Sequence, residues 1–168
     1  MSDSDLLATI DALVMDVDGV LTDGTFLWST SGEELKRFSY EDVMGLSRAR
    51  QAGLKLGLIS GEDSPLVDRF AEKMQISHVT KGCKEKDIAL RGFARTTGIS
   101  LARTAYIGDD VNDLPALAIA GLSVAPANAR HEVKAVVSLV MDRNGGQGAV
   151  RQLVEMIIAA RSKRGTTA

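Results

Sequence analysis

With a single cysteine, Cys83, in 168 residues, the chain can close no internal disulfide, a usage that fits a reducing cytoplasm. Prolines number only three and the glycines are scattered, which leaves no composition for a long disordered segment. Neither sign of charge dominates. Twenty basic residues stand against 22 acidic ones, and a formal net charge of -2 offers nucleic acid no electrostatic footprint. No apolar run approaches the roughly 18 residues that a membrane span requires. The opening residues, MSDSDLLATI, lack the basic start and apolar run of a secretory leader. What remains is ordinary globular usage, 45% hydrophobic and 25% charged, expected to form one cytoplasmic domain over 1–168.

Six short apolar runs read as strands: Ala12–Asp16, Lys55–Ile59, His78–Val79, Thr104–Ile107, Leu122–Val124 and Ser138–Met141. Helical spacing fills Val43–Ala52, Pro65–Met74, Lys86–Thr97, Asp113–Ala120, His131–Ala135 and Gly148–Arg161. Pro65 and Pro115 stand where a first helical turn tolerates proline. The alternation predicts an α/β fold, a mostly parallel sheet covered on both faces. One section interrupts it: Gly24–Trp28 and Glu34–Phe38 flank a polar turn and predict a β-hairpin straight after the first strand. Leu27, Trp28, Leu35 and Phe38 give that hairpin apolar surface that it cannot bury alone. Residues Ser162–Ala168 are expected to be a loose tail.

Chemistry concentrates at strand ends. Asp16 and Asp18 emerge two apart as the first strand stops, at the carboxyl edge where open α/β folds place ligands. Two acids so close repel each other unless a cation or phosphate makes their closeness useful. Gly19 allows the tight turn that aims backbone N–H groups at an anion. A second cluster, Gly108-Asp109-Asp110-Val111-Asn112-Asp113, again follows a strand and gathers hard oxygen donors suited to Mg²⁺. Helix capping explains Asp113 but not all three carboxylates. Ser60 ends the Leu56–Ile59 run and offers a hydroxyl; Lys86 opens a helix and offers a positive charge to the same anion.

The order acid pair, hydroxyl, lysine, acid cluster resembles the four motifs of the haloacid dehalogenase superfamily of phosphohydrolases, from Val14 to beyond Asp113. The resemblance implies a Rossmann-like three-layer α/β/α fold and a Mg²⁺-dependent phosphatase. In it Asp16 is the nucleophile that becomes an aspartyl-phosphate, and Asp18 is the general acid and base. Asp16, the backbone carbonyl of Asp18, and Asp109 are expected to hold Mg²⁺, with Asp110, Asn112 and Asp113 behind them. Ser60 and Lys86 are expected on the phosphoryl oxygens. The intervals from Asp18 to Ser60 and from Ser60 to Lys86 are too short for a cap domain, so the site stands open unless another subunit covers it.

A capless core with a hairpin after DVDGVLTDG is similar to the 3-deoxy-D-manno-octulosonate 8-phosphate phosphatases, and GDDVNDLPAL, GLSVAP and Gly145-Gly146-Gln147-Gly148-Ala149-Val150-Arg151 extend the likeness. That resemblance implies a homotetramer packed through hairpins and a glycine-rich segment that either flaps over a site or merely turns into the last helix. Thr22, Asp42, Gly61, Glu62, Lys73 and Arg151 are expected around the substrate. One departure counts: these enzymes usually read Thr-Gly-Arg where this chain reads Ser60-Gly61-Glu62. Glu62 together with Lys73 looks like the related 3-deoxynonulosonate 9-phosphate phosphatases of the sialic acid type, and favours a nine-carbon sugar-acid phosphate over the eight-carbon one used in lipopolysaccharide synthesis. A broad-specificity phosphatase, a phospho-receiver domain and a non-catalytic descendant are the rival readings.

Overall fold

A computed structural model describes residues 3–166. Its framework is a six-stranded sheet in the order β5-β4-β1-β6-β7-β8, every neighbouring pair parallel. The strands are β1 (Ala12–Met15), β4 (Lys55–Ile59), β5 (His78–Thr80), β6 (Thr104–Ile107), β7 (Leu122–Ala125) and β8 (Leu139–Val140). A separate two-stranded hairpin joins β2 (Leu27–Trp28) to β3 (Glu34–Leu35). The helices are α1 (Asp3–Thr9), α2 (Tyr40–Gln51), α3 (Pro65–Met74), α4 (Lys86–Thr97), α5 (Leu114–Leu117), α6 (His131–Lys134) and α7 (Ala149–Thr166).

The two-residue period of the strands divides the core into two layers. Leu13 and Met15 of β1, Leu56 and Leu58 of β4, and Ala105 and Ile107 of β6 pack with α1, α2, α3 and α7. Ala12, Val14, Ile59 and Tyr106 point the other way, onto Leu90 and Phe93 of α4, Leu117 of α5 and Val133 of α6. Strands buried on both faces must be apolar throughout, which is why β1 reads Ala-Leu-Val-Met without alternation. Ser64 caps α3 by accepting from the Leu66 N–H, and Pro65 takes the first helical position as its sequence suggested.

The sequence missed α1, and it set the start of α2 three residues late: Ser39, not the apolar pattern, marks the entry by accepting from the Glu41 N–H. Regular pairing in the hairpin is shorter than expected. Phe38 leaves it to stack on Phe70, ring centroids 4.2 Å apart. Phe26, Leu27, Trp28 and Leu35 remain exposed, Leu27 by 67% and Trp28 by 70%. The expected helix Asp113–Ala120 is a 3-10 turn at Val111–Asp113 followed by one turn of α5. In place of a loose tail from Ser162, α7 continues to Thr166; Thr167 and Ala168 lie outside the described residues.

Candidate active site

All six strands of the main sheet run the same way, so β1, β4 and β6 deliver their carboxyl ends to one rim. Asp16 leaves β1 there, Ser60 leaves β4, and Gly108–Asp110 leave β6. A cleft of about 370 Å³ opens at that rim, lined by Asp16, Asp18, Gly24, Gly61, Glu62, Asp109, Asp110, Val111 and Asn112.

Beneath it runs a buried charged network. Asp16 Oδ1 accepts from the Val17 N–H at 2.7 Å, and its Oδ2 lies 2.9 Å from Lys86 Nζ. Lys86, at the start of α4, is fully buried and also donates to Asp113 Oδ1 at 2.7 Å. The same Oδ1 accepts from the Tyr106 hydroxyl at 2.6 Å, while Asp113 Oδ2 accepts from the backbone N–H groups of Asp109 and Asp110 at 3.1 and 3.3 Å. Burial pushes the Asp16 carboxyl up, the Asp113 charge adds to that, and Lys86 opposes it. Burial alone would lower the Lys86 ammonium, but the charges of Asp16 and Asp113 hold it raised. Asp109 is pushed up to about 7 by burial, then by Asp113 and Asp110. Around Lys86 the site therefore holds more carboxylate than that lysine balances.

Carboxylate oxygens of Asp16, Asp109 and Asp113 all lie within 4.8 Å of one another. Both oxygens of Asp113 are engaged by the donors named above, so Asp113 braces the loop, whereas Asp109 faces the cleft. Asp109 also fixes the need for glycine opposite: a Cβ on Gly19, whose φ is +86°, would stand 2.0 Å from Asp109 Oδ2. The Gly19 carbonyl accepts from Asn128 Nδ2 at 2.9 Å, and Gly145 lies so close that its Cβ would fall 1.9 Å from the Gly19 oxygen. The glycine-rich segment is thus packed beneath the Asp16 loop of its own chain, with the Gly146 N–H donating to the Val20 carbonyl at 3.0 Å.

Several residues expected around the substrate make contacts within the fold. Thr22 is buried, its Oγ1 accepting from the N–H groups of Gly19 and Gly24 to close the turn. Asp42 is buried and receives the N–H groups of Gly148 and Arg151 at 3.2 and 3.0 Å, holding the start of α7 against α2. The Arg151 side chain pairs with Glu155 at 2.6 Å. Lys73 sits in the last turn of α3, 5.8 Å from the centre of the Tyr40 ring, at the helix end remote from the cleft; Glu62 lines the cleft without it. Ser60 is buried beside the cleft and its Oγ accepts from the Glu62 N–H at 3.2 Å. Asp110 accepts from the Val111 N–H and caps the 3-10 turn, and Asn112 joins the lining. Cys83, half-buried, donates its N–H to the Ser60 carbonyl at 3.0 Å.

Two participants escaped the sequence. Tyr106 carried a readable signal, because a tyrosine in a strand buried on both faces must find a partner for its hydroxyl. Lys36, which contacts Asp18 from the hairpin, carried none.

Residues 73–153 match the family model for haloacid dehalogenase-like hydrolases. The 3-deoxy-D-manno-octulosonate 8-phosphate phosphatase KdsC of Haemophilus influenzae is 38% identical over 157 residues, which cover 94% of this chain and 87% of that protein. The Yersinia pestis KdsC is 35% identical over 93% of this chain and 83% of its own. Among solved structures, the Moraxella catarrhalis 3-deoxy-D-manno-octulosonate 8-phosphate phosphatase in complex with magnesium ion, phosphate ion and KDO superposes with a TM-score of 0.92 at 36% identity, covering 98% of this chain and 94% of that one. The cobalt-bound Haemophilus influenzae enzyme gives 0.91 at 38%, covering 94% and 92%. The chain belongs to the haloacid dehalogenase-like hydrolase family. These relatives carry the eight-carbon activity that the sequence placed second, and nothing in them supports the nine-carbon ester that Glu62 and Lys73 favoured.

Proposed function

We propose that this chain is a phosphoric monoester hydrolase that cleaves 3-deoxy-D-manno-octulosonate 8-phosphate, with Asp16 as nucleophile and Asp18 as acid and base. The observation that carries the reading is the convergence of Asp16, Lys86, Asp109 and Asp113 on one sheet rim, next to a cleft that Asp18 also lines. The eight-carbon substrate is supported by relatives that match nearly the whole chain.

In the reaction an Asp16 carboxylate oxygen bonds to phosphorus as the bond from phosphorus to the sugar oxygen breaks, and Asp18 gives that oxygen its proton. Asp18 then takes a proton from the water that attacks phosphorus, and the Asp16 carboxylate leaves. Phosphoryl transfer asks chiefly for positioning and charge neutralisation. Lys86 supplies part of both, held rigid between Asp16 and Asp113. Ser60 stands ready for a phosphoryl oxygen, and Gly61, Glu62 and Asn112 border the sugar. The donor set fits Mg²⁺: hard carboxylate oxygens from Asp16 and Asp109, the Asp18 carbonyl, and an excess of negative charge that Lys86 does not cancel. When bound, Mg²⁺ supplies the neutralisation that lets an anionic carboxylate approach a phosphate dianion.

The exposed aromatic face of the hairpin supports assembly as a homotetramer, because so much contiguous apolar surface is uncommon on a monomer. Sedimentation of the native chain tests that assembly. The enzymatic test is phosphate release from the eight- and nine-carbon ulosonate phosphates, with Asp16→Asn as control. Higher kcat/KM on the eight-carbon ester and no turnover by Asp16→Asn are expected; a clear nine-carbon preference overturns the substrate, and an active Asp16→Asn overturns the chemistry.

A further inference from the structure

The Asp18 carboxylate lies outside the buried network around Lys86. Its partner comes from the hairpin instead. Lys36 Nζ lies 2.6 Å from Asp18 Oδ1 and 2.8 Å from Oδ2, a two-point contact that sets both the position and the plane of the carboxylate. The Lys36 side chain is only 3% exposed, against 30% for Asp18. The two face different spaces: Asp18 lines the catalytic cleft, while Lys36 lines a neighbouring hollow of about 280 Å³ with Phe26, Leu27 and Leu35. Lys36 thus reaches Asp18 from behind.

The arm that carries Lys36 is itself pinned. Glu34 Oε1 lies 3.9 Å from Lys36 Nζ and accepts from the Ser64 hydroxyl at 3.4 Å, at the cap of α3. Glu34 Oε2 accepts from Trp28 Nε1 at 3.3 Å across the hairpin. The excursion between β1 and α2 therefore does more than decorate the core. It returns a buried cation to the second acid of the Asp16-Val17-Asp18 loop, with its register fixed by Glu34.

We propose that Lys36 is a positioning residue for catalysis, acting through Asp18, and that the hairpin by this means sets the acid–base geometry of the site. The proposal rests on the phosphatase reading above. A misplacement of about 1 Å in a reacting group can lower a rate on the order of 100-fold. Lys36→Met is expected to lose kcat by that order with KM changed less than about threefold, since Lys36 does not line the cleft. Lys36→Arg, which keeps a charged donor, is expected to recover kcat to within about tenfold of the parent.

The decisive measurement places Lys36→Met in an Asp18→Asn background, with melting temperatures confirming that each protein is folded. If Lys36 acts through Asp18, the second substitution adds less than about twofold to the loss. Full additivity overturns the proposal, as does a raised KM with kcat intact, which would make Lys36 a substrate ligand. Lys36→Leu, measured alongside, removes the donor at similar bulk and serves where Lys36→Met fails to fold; parental kcat in either variant also overturns the proposal. A parent enzyme that releases no phosphate sinks the phosphatase reading instead, so the two failures are distinguishable.

Discussion

Raising the pH should destabilise the metal-free protein and strengthen its response to Mg²⁺, and Asp109 fixes both directions. Its carboxyl titrates near 7 in the fold against 3.8 in the open chain. Below pH 3.8 both states are protonated. Between 3.8 and about 7 the native state keeps a proton that the unfolded state has lost, so each pH unit removes about 1.4 kcal/mol of stability. Over that window of about three units the loss is about 4 kcal/mol, and partial exposure of Asp109 reduces it to about 2 kcal/mol. For a chain of this size that is a fall in Tm of about 4–8 °C, complete above pH 7. Asp16 is displaced in the same direction and adds to it. Mg²⁺ at a hundredfold excess over its Kd returns about 2.7 kcal/mol. At pH 5.5 it returns much less, because Asp109 must first give up its proton. The assay is thermal denaturation at pH 5.5 and 8.5, with Mg²⁺ or EDTA, for the parent and Asp109→Asn. The substitution should flatten the pH response and abolish the Mg²⁺ effect. Equal Mg²⁺ shifts at the two pH values, or an unchanged slope in Asp109→Asn, would refute the reasoning.

Tyr106→Phe leaves Asp113 Oδ1 without one of its buried donors, so urea denaturation should show a loss of about 1–2 kcal/mol. Phosphate release should slow, because Asp113 anchors Lys86. Asp42→Ala frees the N–H groups of Gly148 and Arg151 at the start of α7. It should cost about 1–2 kcal/mol in urea denaturation and leave KM for the sugar phosphate unchanged, separating a helix anchor from a substrate ligand.

The parts of this molecule legible in the sequence are those written in a single stretch of chain. β1, β4 and β6 are short, largely apolar and followed by the residues singled out at their ends, so the rim carrying Asp16, Ser60 and Asp109 could be placed before any coordinates. Asp42, Thr22 and Arg151 could not be understood that way. Their work is to receive or present backbone groups from distant segments, and a side chain's type does not say whether it faces a ligand or a helix end. Lys73 shows the complementary difficulty: a sequence interval says nothing of direction, and in the fold Lys73 lies in the last turn of α3 while Glu62 precedes its first. Lys36 was invisible because its partner lies eighteen positions away across a turn whose path the hydrophobic pattern does not encode.

The close seating of Gly145 on Gly19 has a consequence for how the enzyme is made. The strand that leads into Asp16 is made more than a hundred residues before the glycines that support its turn. A product truncated before Gly145 retains every strand of the sheet yet lacks the Gly145 and Gly146 contacts with the Asp16 loop, and without α7 it bares the layer that Val150, Leu153, Val154 and Ile157 cover. A chain shortened in this way is expected to lose activity and to expose apolar surface, so the turn after β1 and the helix that follows Gly148 stand or fall together.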